Sequence, residues 1–108
     1  MEKYVLVVGL NCSDSSKEGE FNDWYNNVHL PDVLETKGFV RATRWEHIGP
    51  KKEDAKFLAL YSIEADDIQA TVKAMQDNLD AKRKAGRMSN LGSLVIMGVY
   101  KQIASLDK

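Results

Sequence analysis

The chain has 108 residues, of which 15 are basic and 16 acidic, and its net charge is −1. This length fits one domain, residues 1–108, which buries roughly two-thirds of its unfolded surface. The balanced charge gives no field that would favour nucleic acid or an anionic membrane as a partner. Cys12 is the only cysteine, which excludes an intrachain disulfide and a cysteine-based metal site.

Targeting and membrane signals are not found in the sequence. The apolar run Tyr4–Leu10 is too short for a signal peptide, and Glu2 precedes it. No run approaches the length of a membrane span. We therefore expect a cytoplasmic protein without a membrane partner.

The first part of the chain predicts a strand followed by a helix. Tyr4–Leu10 is short, apolar and rich in β-branched residues, which is typical of a strand. Ser15–Glu18 matches a capping box and predicts the start of a helix. This helix is expected to run to about Thr36, with Gly38 as its C-terminal cap.

The second part predicts two strands, a helix and a last strand. Phe39–Ile48, Lys56–Ile63 and Leu94–Tyr100 are the predicted strands. Alternation along the first of these predicts one face carrying Phe39, Arg41, Thr43, Trp45 and His47, with Arg44 on the other. The second helix is expected to begin after Asp66-Asp67. Its basic C-terminal end, with Arg87 beyond it, is interpreted as a solvated surface.

The order β-α-β-β-α-β predicts an α+β, ferredoxin-like fold, an antiparallel sheet with both helices on one face. Three of the strands are apolar at both alternating positions, as in Tyr4–Leu10. A sheet with one solvated face would alternate apolar and polar residues. We therefore expect the second face to be covered by another copy of the chain, in a homodimer.

The first helix holds the residues most indicative of function. Phe21, Trp24, Tyr25 and Val28 follow the spacing of one apolar helix face. His29 lies one turn after Tyr25, and Pro31 follows two residues later. Since proline lacks an N–H group, we expect a kink or break at His29–Pro31 that leaves the imidazole at a helix end.

A motif of fixed spacing covers this helix and the start of the next strand: Glu20-Phe21-x-x-Trp24-Tyr25-x-x-x-His29-Leu30-Pro31-Asp32, then Gly38-Phe39 and Arg44. It resembles the EthD-like branch of the dimeric α/β-barrel proteins. The resemblance implies a dimer with facing sheets, and a pocket between each sheet and its helices with the first-helix histidine at the site. Lys37 departs from the pattern, since relatives often carry proline there.

His29 is the first candidate for catalysis, because imidazole exchanges protons near neutral pH. The alternative is a structural histidine bonded to nearby backbone. Asp32 is a candidate catalytic residue that would hold the second ring nitrogen, or else an acid that favours the start of a helix segment. Tyr25 is a candidate donor through its hydroxyl, with core packing as its alternative.

Four further residues are candidates for substrate binding: Trp24, Arg44, Trp45 and Tyr61. For Trp24 core packing is the favoured alternative, and for Arg44 the alternative is an edge-strand charge or a surface salt bridge. Asn22 and Asn26 are predicted to be solvated. The two histidines are far apart, so we expect no metal, and no sequence motif calls for another cofactor.

Three functions remain open. The first is a cofactor-independent enzyme that uses His29 for acid–base catalysis on a flat, oxygenated, phenolic or polyketide-like molecule, by cyclisation, isomerisation or dehydration. The second is a non-catalytic small-molecule binding protein. The third is a barrel monooxygenase. Haem is disfavoured because the second helix has no histidine to bind iron, while Asn11 and Trp45 leave a quinone-forming oxygenation open.

Overall fold

The structure is a computed structural model that describes residues 1–108. Its main elements are β1 (Glu2–Cys12), α1 (Glu18–Trp24), α2 (Leu30–Leu34), β2 (Phe39–Glu46), β3 (Phe57–Ala65), α3 (Ile68–Lys84) and β4 (Gly92–Lys101). A 3-10 turn, Ser15–Lys17, precedes α1, and a π-helical turn, Tyr25–His29, joins α1 to α2. No helix has both the length and the apolar character needed to cross a membrane.

The four strands form one antiparallel sheet in the order β2-β3-β1-β4. Alternate residues of β3 are buried, and they meet the apolar sides of the helices in one core. The buried apolar residues are Leu6, Phe21, Tyr25, Val33, Phe39, Phe57, Ala59, Tyr61, Ile63, Ala65 and Met75. The predicted ferredoxin-like α+β fold is confirmed.

The opposite face of the sheet is open in the single chain. On β4, the exposed apolar side chains of this face are Ile96 and Tyr100, which are 49% and 61% exposed and pair with Gly9 and Val5 of β1. On the same open face, Val7 and Leu60 pair across β1 and β3 and are only partly covered. This face therefore has the apolar character that the sequence predicted for it.

The first helix does not end at His29, which corrects the prediction of a kink or break there. His29 and Leu30 both keep right-handed helical backbone angles. The Leu30 N–H donates to the carbonyl of Tyr25, five residues back, so the backbone widens into a π-helical turn just before Pro31. Such single π-helical turns within α-helices are frequent at functional sites.

The start of this helix also differs from the prediction. Asp14, and not the Ser15–Glu18 capping box, caps the first turn, because its carboxylate accepts from the N–H and the hydroxyl of Ser16. A short 3-10 turn follows, and α1 begins only at Glu18.

A bulge at the start of β2 changes which residues face the helices. Phe39 pairs with Ile63, but Arg41 pairs with Ser62, so one residue of β2 is inserted between them. The single face predicted to carry Phe39 together with Arg41 is therefore wrong. Phe39 and Arg44 share the helix-covered face, whereas Arg41 lies on the open face.

The backbone between α2 and β2 can be tested at Gly38, whose φ of +97° lies in the left-handed region. A Cβ there would lie 3.1 Å from the Glu64 carbonyl oxygen. We expect Gly38→Ala to lower the free energy of unfolding by about 1–2 kcal/mol. Gly19→Ala is the matched control, since that helical position is open, and alanine should raise stability by about 0.5–1 kcal/mol. Urea unfolding of both variants measures the difference, and equal stabilities would contradict the assigned backbone conformation.

Candidate functional site

The centre of the site is a buried hydrogen bond between the hydroxyls of Tyr25 and Tyr61, 3.0 Å apart. Tyr25 comes from the apolar side of the first helix and Tyr61 from the buried side of β3, and each is 1% exposed. Burial raises the pKa of both phenols. Tyr25 thus lies beside His29 as predicted, but its hydroxyl is bonded inside the core.

His29 lies against two aromatic rings. Its ring stacks on Trp24 at a centroid distance of 4.8 Å and meets the Tyr25 ring nearly edge-on at 4.8 Å. Neither ring nitrogen makes a hydrogen bond, and neither is among the fully buried unpaired atoms. The imidazole is therefore enclosed on its sides by aromatic carbon while its nitrogens stay accessible.

The charge state of His29 follows from these surroundings. The pKa of His29 is lowered from 6.5 to about 4, mainly by burial; the Asp32 charge opposes this lowering and the Arg44 charge adds to it. His29 is consequently a neutral imidazole at pH 7. A neutral imidazole offers one nitrogen as a hydrogen-bond donor and the other as an acceptor.

Asp32 binds Arg87 and not His29. Two hydrogen bonds of 2.7 and 3.0 Å join its carboxylate to the guanidinium, and they hold the Asp32 pKa below its usual range. The predicted contact with the second nitrogen of His29 is absent. Asp32 instead occupies the first turn of α2, which agrees with its alternative role as a helix-starting acid.

Arg87 has a second contact that the sequence did not reveal. Its backbone carbonyl accepts a 2.8 Å hydrogen bond from the indole N–H of Trp24. Arg87 therefore connects the loop after α3 both to Asp32 and to the ring on which His29 stacks. The sequence analysis placed it in a solvated basic surface, and nothing in the local pattern distinguishes it from neighbouring cations.

Arg44 lies on the other side of Tyr25. Its guanidinium carbon is 4.2 Å from the centroid of the Tyr25 ring and 5.5 Å from that of Phe57. One terminal nitrogen, Nη1, donates to the side-chain oxygens of Asn22 and Asn26 at 2.9 and 3.0 Å. Asn26 is exposed, in agreement with the prediction, whereas Asn22 is partly buried. The sequence analysis did not predict that either asparagine binds Arg44, although their i, i+4 spacing was a signal that both lie on one helix face.

A cavity of about 240 Å³ opens beside this group and is called the Arg44 cavity below. It is lined by Asn22, Asn26, Arg44, Trp45, Glu46 and Phe57. Trp45 only borders it, since the side chain belongs to the open face, is 56% exposed and donates to Thr43. His29 does not line the cavity, although His29 and Arg44 both contact the Tyr25 ring.

Two other groups considered from the sequence lie outside this cluster. Asn11 binds the backbone of Asp54 and Lys56 through its side-chain amide, so it fixes the loop between β2 and β3. His47 lies beyond the end of β2, beside Asp54. The structure contains no cluster of three or more histidine, cysteine or acidic side chains that could hold a metal ion.

The low pKa of His29 gives a test of its surroundings. Because the folded pKa is near 4 and the unfolded pKa near 6.5, protonation favours the unfolded chain. The stabilising contribution is complete above pH 6.5 and is lost as pH falls towards 4, by about 3 kcal/mol in all. Urea unfolding from pH 7 to pH 4 should show this loss in the wild type, and a much smaller loss in His29→Gln.

His47→Gln is the matched control for this experiment, because His47 is the other histidine and is exposed. It should keep the pH dependence of the wild type. An unchanged pH dependence in His29→Gln would show that His29 is solvated, contrary to the stacking described here.

Comparison with known proteins gives relatives by structure only. No family model matches the chain, and no curated protein matches it by sequence. A dimeric ferredoxin-like protein from an uncultured marine organism is similar at a TM-score of 0.69 and 11% identity, over 98% of this chain and 100% of that one. SnoaB from Streptomyces nogalater, described as a cofactor-independent oxygenase, is similar at 0.61 and 14% identity over 100% of both chains.

A protein of the ethyl tert-butyl ether degradation (EthD) family from Bacillus halodurans is also similar. Its TM-score is 0.51 and its identity 18%, over 91% of this chain and 97% of that one. At these identities the likeness concerns the fold. The resemblance to the EthD-like branch, which rested on the motif of the first helix, is confirmed at that level.

Proposed function

We propose that this protein is a small enzyme that needs no metal or organic cofactor and acts on a flat, oxygenated molecule, phenolic or polyketide-like. His29 accepts and returns the proton. The observation that carries the proposal is the neutral imidazole of His29, which is enclosed by Trp24 and Tyr25 with both nitrogens unbonded.

The chemistry requires a proton acceptor and a group that stabilises negative charge on oxygen. His29 is in its acceptor form at pH 7, and it is a weak base until a substrate binds. When its proton comes from a carbon next to a carbonyl, the carbonyl oxygen becomes anionic, and that anion favours the imidazolium. The guanidinium of Arg44, which contacts the same Tyr25 ring as His29, supplies nearby positive charge that favours the anion. Cyclisation, isomerisation and dehydration all begin with this step.

Tyr25 and Asp32 act indirectly in this scheme. The Tyr25 ring contacts both His29 and Arg44, while its hydroxyl stays with Tyr61. Asp32 binds Arg87, whose carbonyl holds the Trp24 indole in turn. Both residues therefore position the aromatic surroundings of His29.

Two alternatives have specific support. Cofactor-free oxygenation is supported by the similarity to SnoaB, the cofactor-independent oxygenase, and would use the same proton acceptor before oxygen reacts with the substrate carbanion. Non-catalytic binding is supported by the hydrogen bonds of Tyr25 to Tyr61 and of Asp32 to Arg87. Neither residue therefore bonds to His29, which has no hydrogen-bonded partner.

We also propose that the protein is a homodimer, with the open faces of two sheets against each other. The support is the row of exposed apolar side chains on β4 and the dimeric state of the ferredoxin-like protein described above. A contiguous apolar surface of this kind is unusual on a monomer and is typical of interfaces.

Sedimentation equilibrium at micromolar concentration should therefore give about twice the 12.2 kDa mass of one chain. Ile96→Lys places a charge on the open face of β4 and should shift the protein towards monomer. His47→Gln, outside the sheet, should leave the mass unchanged. A wild-type mass of one chain would contradict the dimer.

Proton exchange in D₂O provides the test of function. We expect the protein to accelerate exchange of the α-hydrogens of a fused-ring ketone such as 2-tetralone, followed by proton NMR. His29→Gln should lower the catalysed rate by roughly two to four orders of magnitude, the usual contribution of one acid–base group. Affinity for the ketone should change little, because the proton moves in the transition state.

His47→Gln serves again as the control and should exchange at the wild-type rate. Oxygen uptake with 1,3-dihydroxynaphthalene, lost in His29→Gln, would favour the oxygenase. Binding of both compounds without exchange or oxygen uptake would favour a binding protein and contradict the proposed catalysis.

A further inference from the structure

The asparagines beside Arg44 have a fixed orientation. A guanidinium only donates hydrogen bonds, so the oxygen ends of Asn22 and Asn26 must face it. Their NH₂ ends therefore point elsewhere. Neither NH₂ group makes a hydrogen bond, and neither is fully buried. Both asparagines line the Arg44 cavity, so two uncommitted N–H donors of the first helix belong to its lining residues.

Arg44 itself lacks a negatively charged partner. No carboxylate lies within salt-bridge distance of it, and its hydrogen bonds all leave from Nη1. Nε is buried without an acceptor, and Nη2 is unbonded but not fully buried. A cation held on aromatic rings with unused donors is an incomplete arrangement, because hydrogen bonds left unmade around a charged group lower stability.

The surroundings define what could complete it. Lys56, which lies over the same Phe57 ring as Arg44, is already paired with Glu18 at 2.7 Å, whereas Arg44 has no ion-pair partner. Glu46 is the one acidic side chain that lines the cavity. Phe57 supplies an apolar wall, and the volume of about 240 Å³ suits a molecule of one aromatic ring rather than a large ligand.

We propose that the Arg44 cavity binds the carboxylate of an aromatic acid, with Nη2 of Arg44 and the amide N–H groups of Asn22 and Asn26 as donors. The substrate class thus becomes a flat molecule with an anionic carboxylate. That last step rests on the proposed function, whereas the binding site itself does not. Because Tyr25 contacts both Arg44 and His29, an acid held in the cavity lies beside a residue that the imidazole also contacts.

Benzoate and benzamide are the probes, since they share size and shape but differ in charge. Titration of benzoate into ¹⁵N-labelled protein should shift the side-chain amide signals of Asn22 and Asn26. The protein should bind benzamide at least tenfold more weakly than benzoate. Arg44→Met keeps the apolar stem against Tyr25 and should lower benzoate affinity about tenfold or more. Arg44→Lys keeps the charge but loses the planar donors, so its affinity for benzoate should lie between those of the wild type and Arg44→Met.

Arg41→Met is the matched control, because Arg41 lies on the same strand but on the open face. It should bind benzoate like the wild type. Equal affinity for benzoate and benzamide, undiminished binding in a folded Arg44→Met variant, or no shift of the asparagine signals would each overturn the proposal. If Arg44→Met does not fold, the comparison of benzoate with benzamide on the wild type and on Arg44→Lys decides it.

The two proposals can fail separately. If proton exchange from 2-tetralone depends on His29 but benzoate does not bind, the proposed enzyme function stands and the proposed carboxylate site is wrong. If benzoate binding depends on Arg44 but no reaction depends on His29, the proposed carboxylate site stands and the proposed enzyme function is wrong.

Discussion

The hydrogen bond between the hydroxyls of Tyr25 and Tyr61 is the contact on which the site depends. It joins the first helix to the middle of the sheet, at a place from which water is excluded. Each hydroxyl would be costly to bury alone, and together they satisfy one another. Because the bond fixes the Tyr25 ring, it also fixes the surface that His29 and Arg44 both contact.

The Tyr25 ring contacts two groups of different charge. Arg44 remains a cation, since burial lowers its pKa but a guanidinium stays protonated at neutral pH. The negative face of an aromatic ring attracts such a cation. His29 meets the ring differently, with its edge at a steep angle, and the nearby positive charge helps to keep it neutral. One aromatic side chain thus carries a fixed charge and a proton acceptor side by side.

The loop after α3 holds the other side of the imidazole. Arg87 binds the Asp32 carboxylate with its side chain and the Trp24 indole with its carbonyl. The two parallel hydrogen bonds between this guanidinium and this carboxylate form a bidentate, charge-assisted pair, which is stronger and more directional than a single neutral hydrogen bond. The position of Trp24, and with it the stacking on His29, therefore depends on Arg87, which lies 63 positions further along the chain than Trp24.

Local patterns were sufficient to predict the order of the strands and helices, the ferredoxin-like fold and the apolar side of the first helix. They were also sufficient to place His29 beside Tyr25, because residues four apart meet on a helix whatever the rest of the chain does. The stacking of His29 on Trp24, five residues back, was not predicted. The apolar character of both sheet faces was equally visible, since it is a property of composition along each strand.

Only the tertiary structure decided how the polar groups are paired. The bulge in β2, the pairing of Asp32 with Arg87 and the contacts of Asn22 with Arg44 join segments that are distant in sequence. Hydrogen-bond donors and acceptors have several possible partners of similar strength, and the fold selects among them by distance. The sequence alone determined which residues could form a core; the packed chain determined which charges were left without a partner.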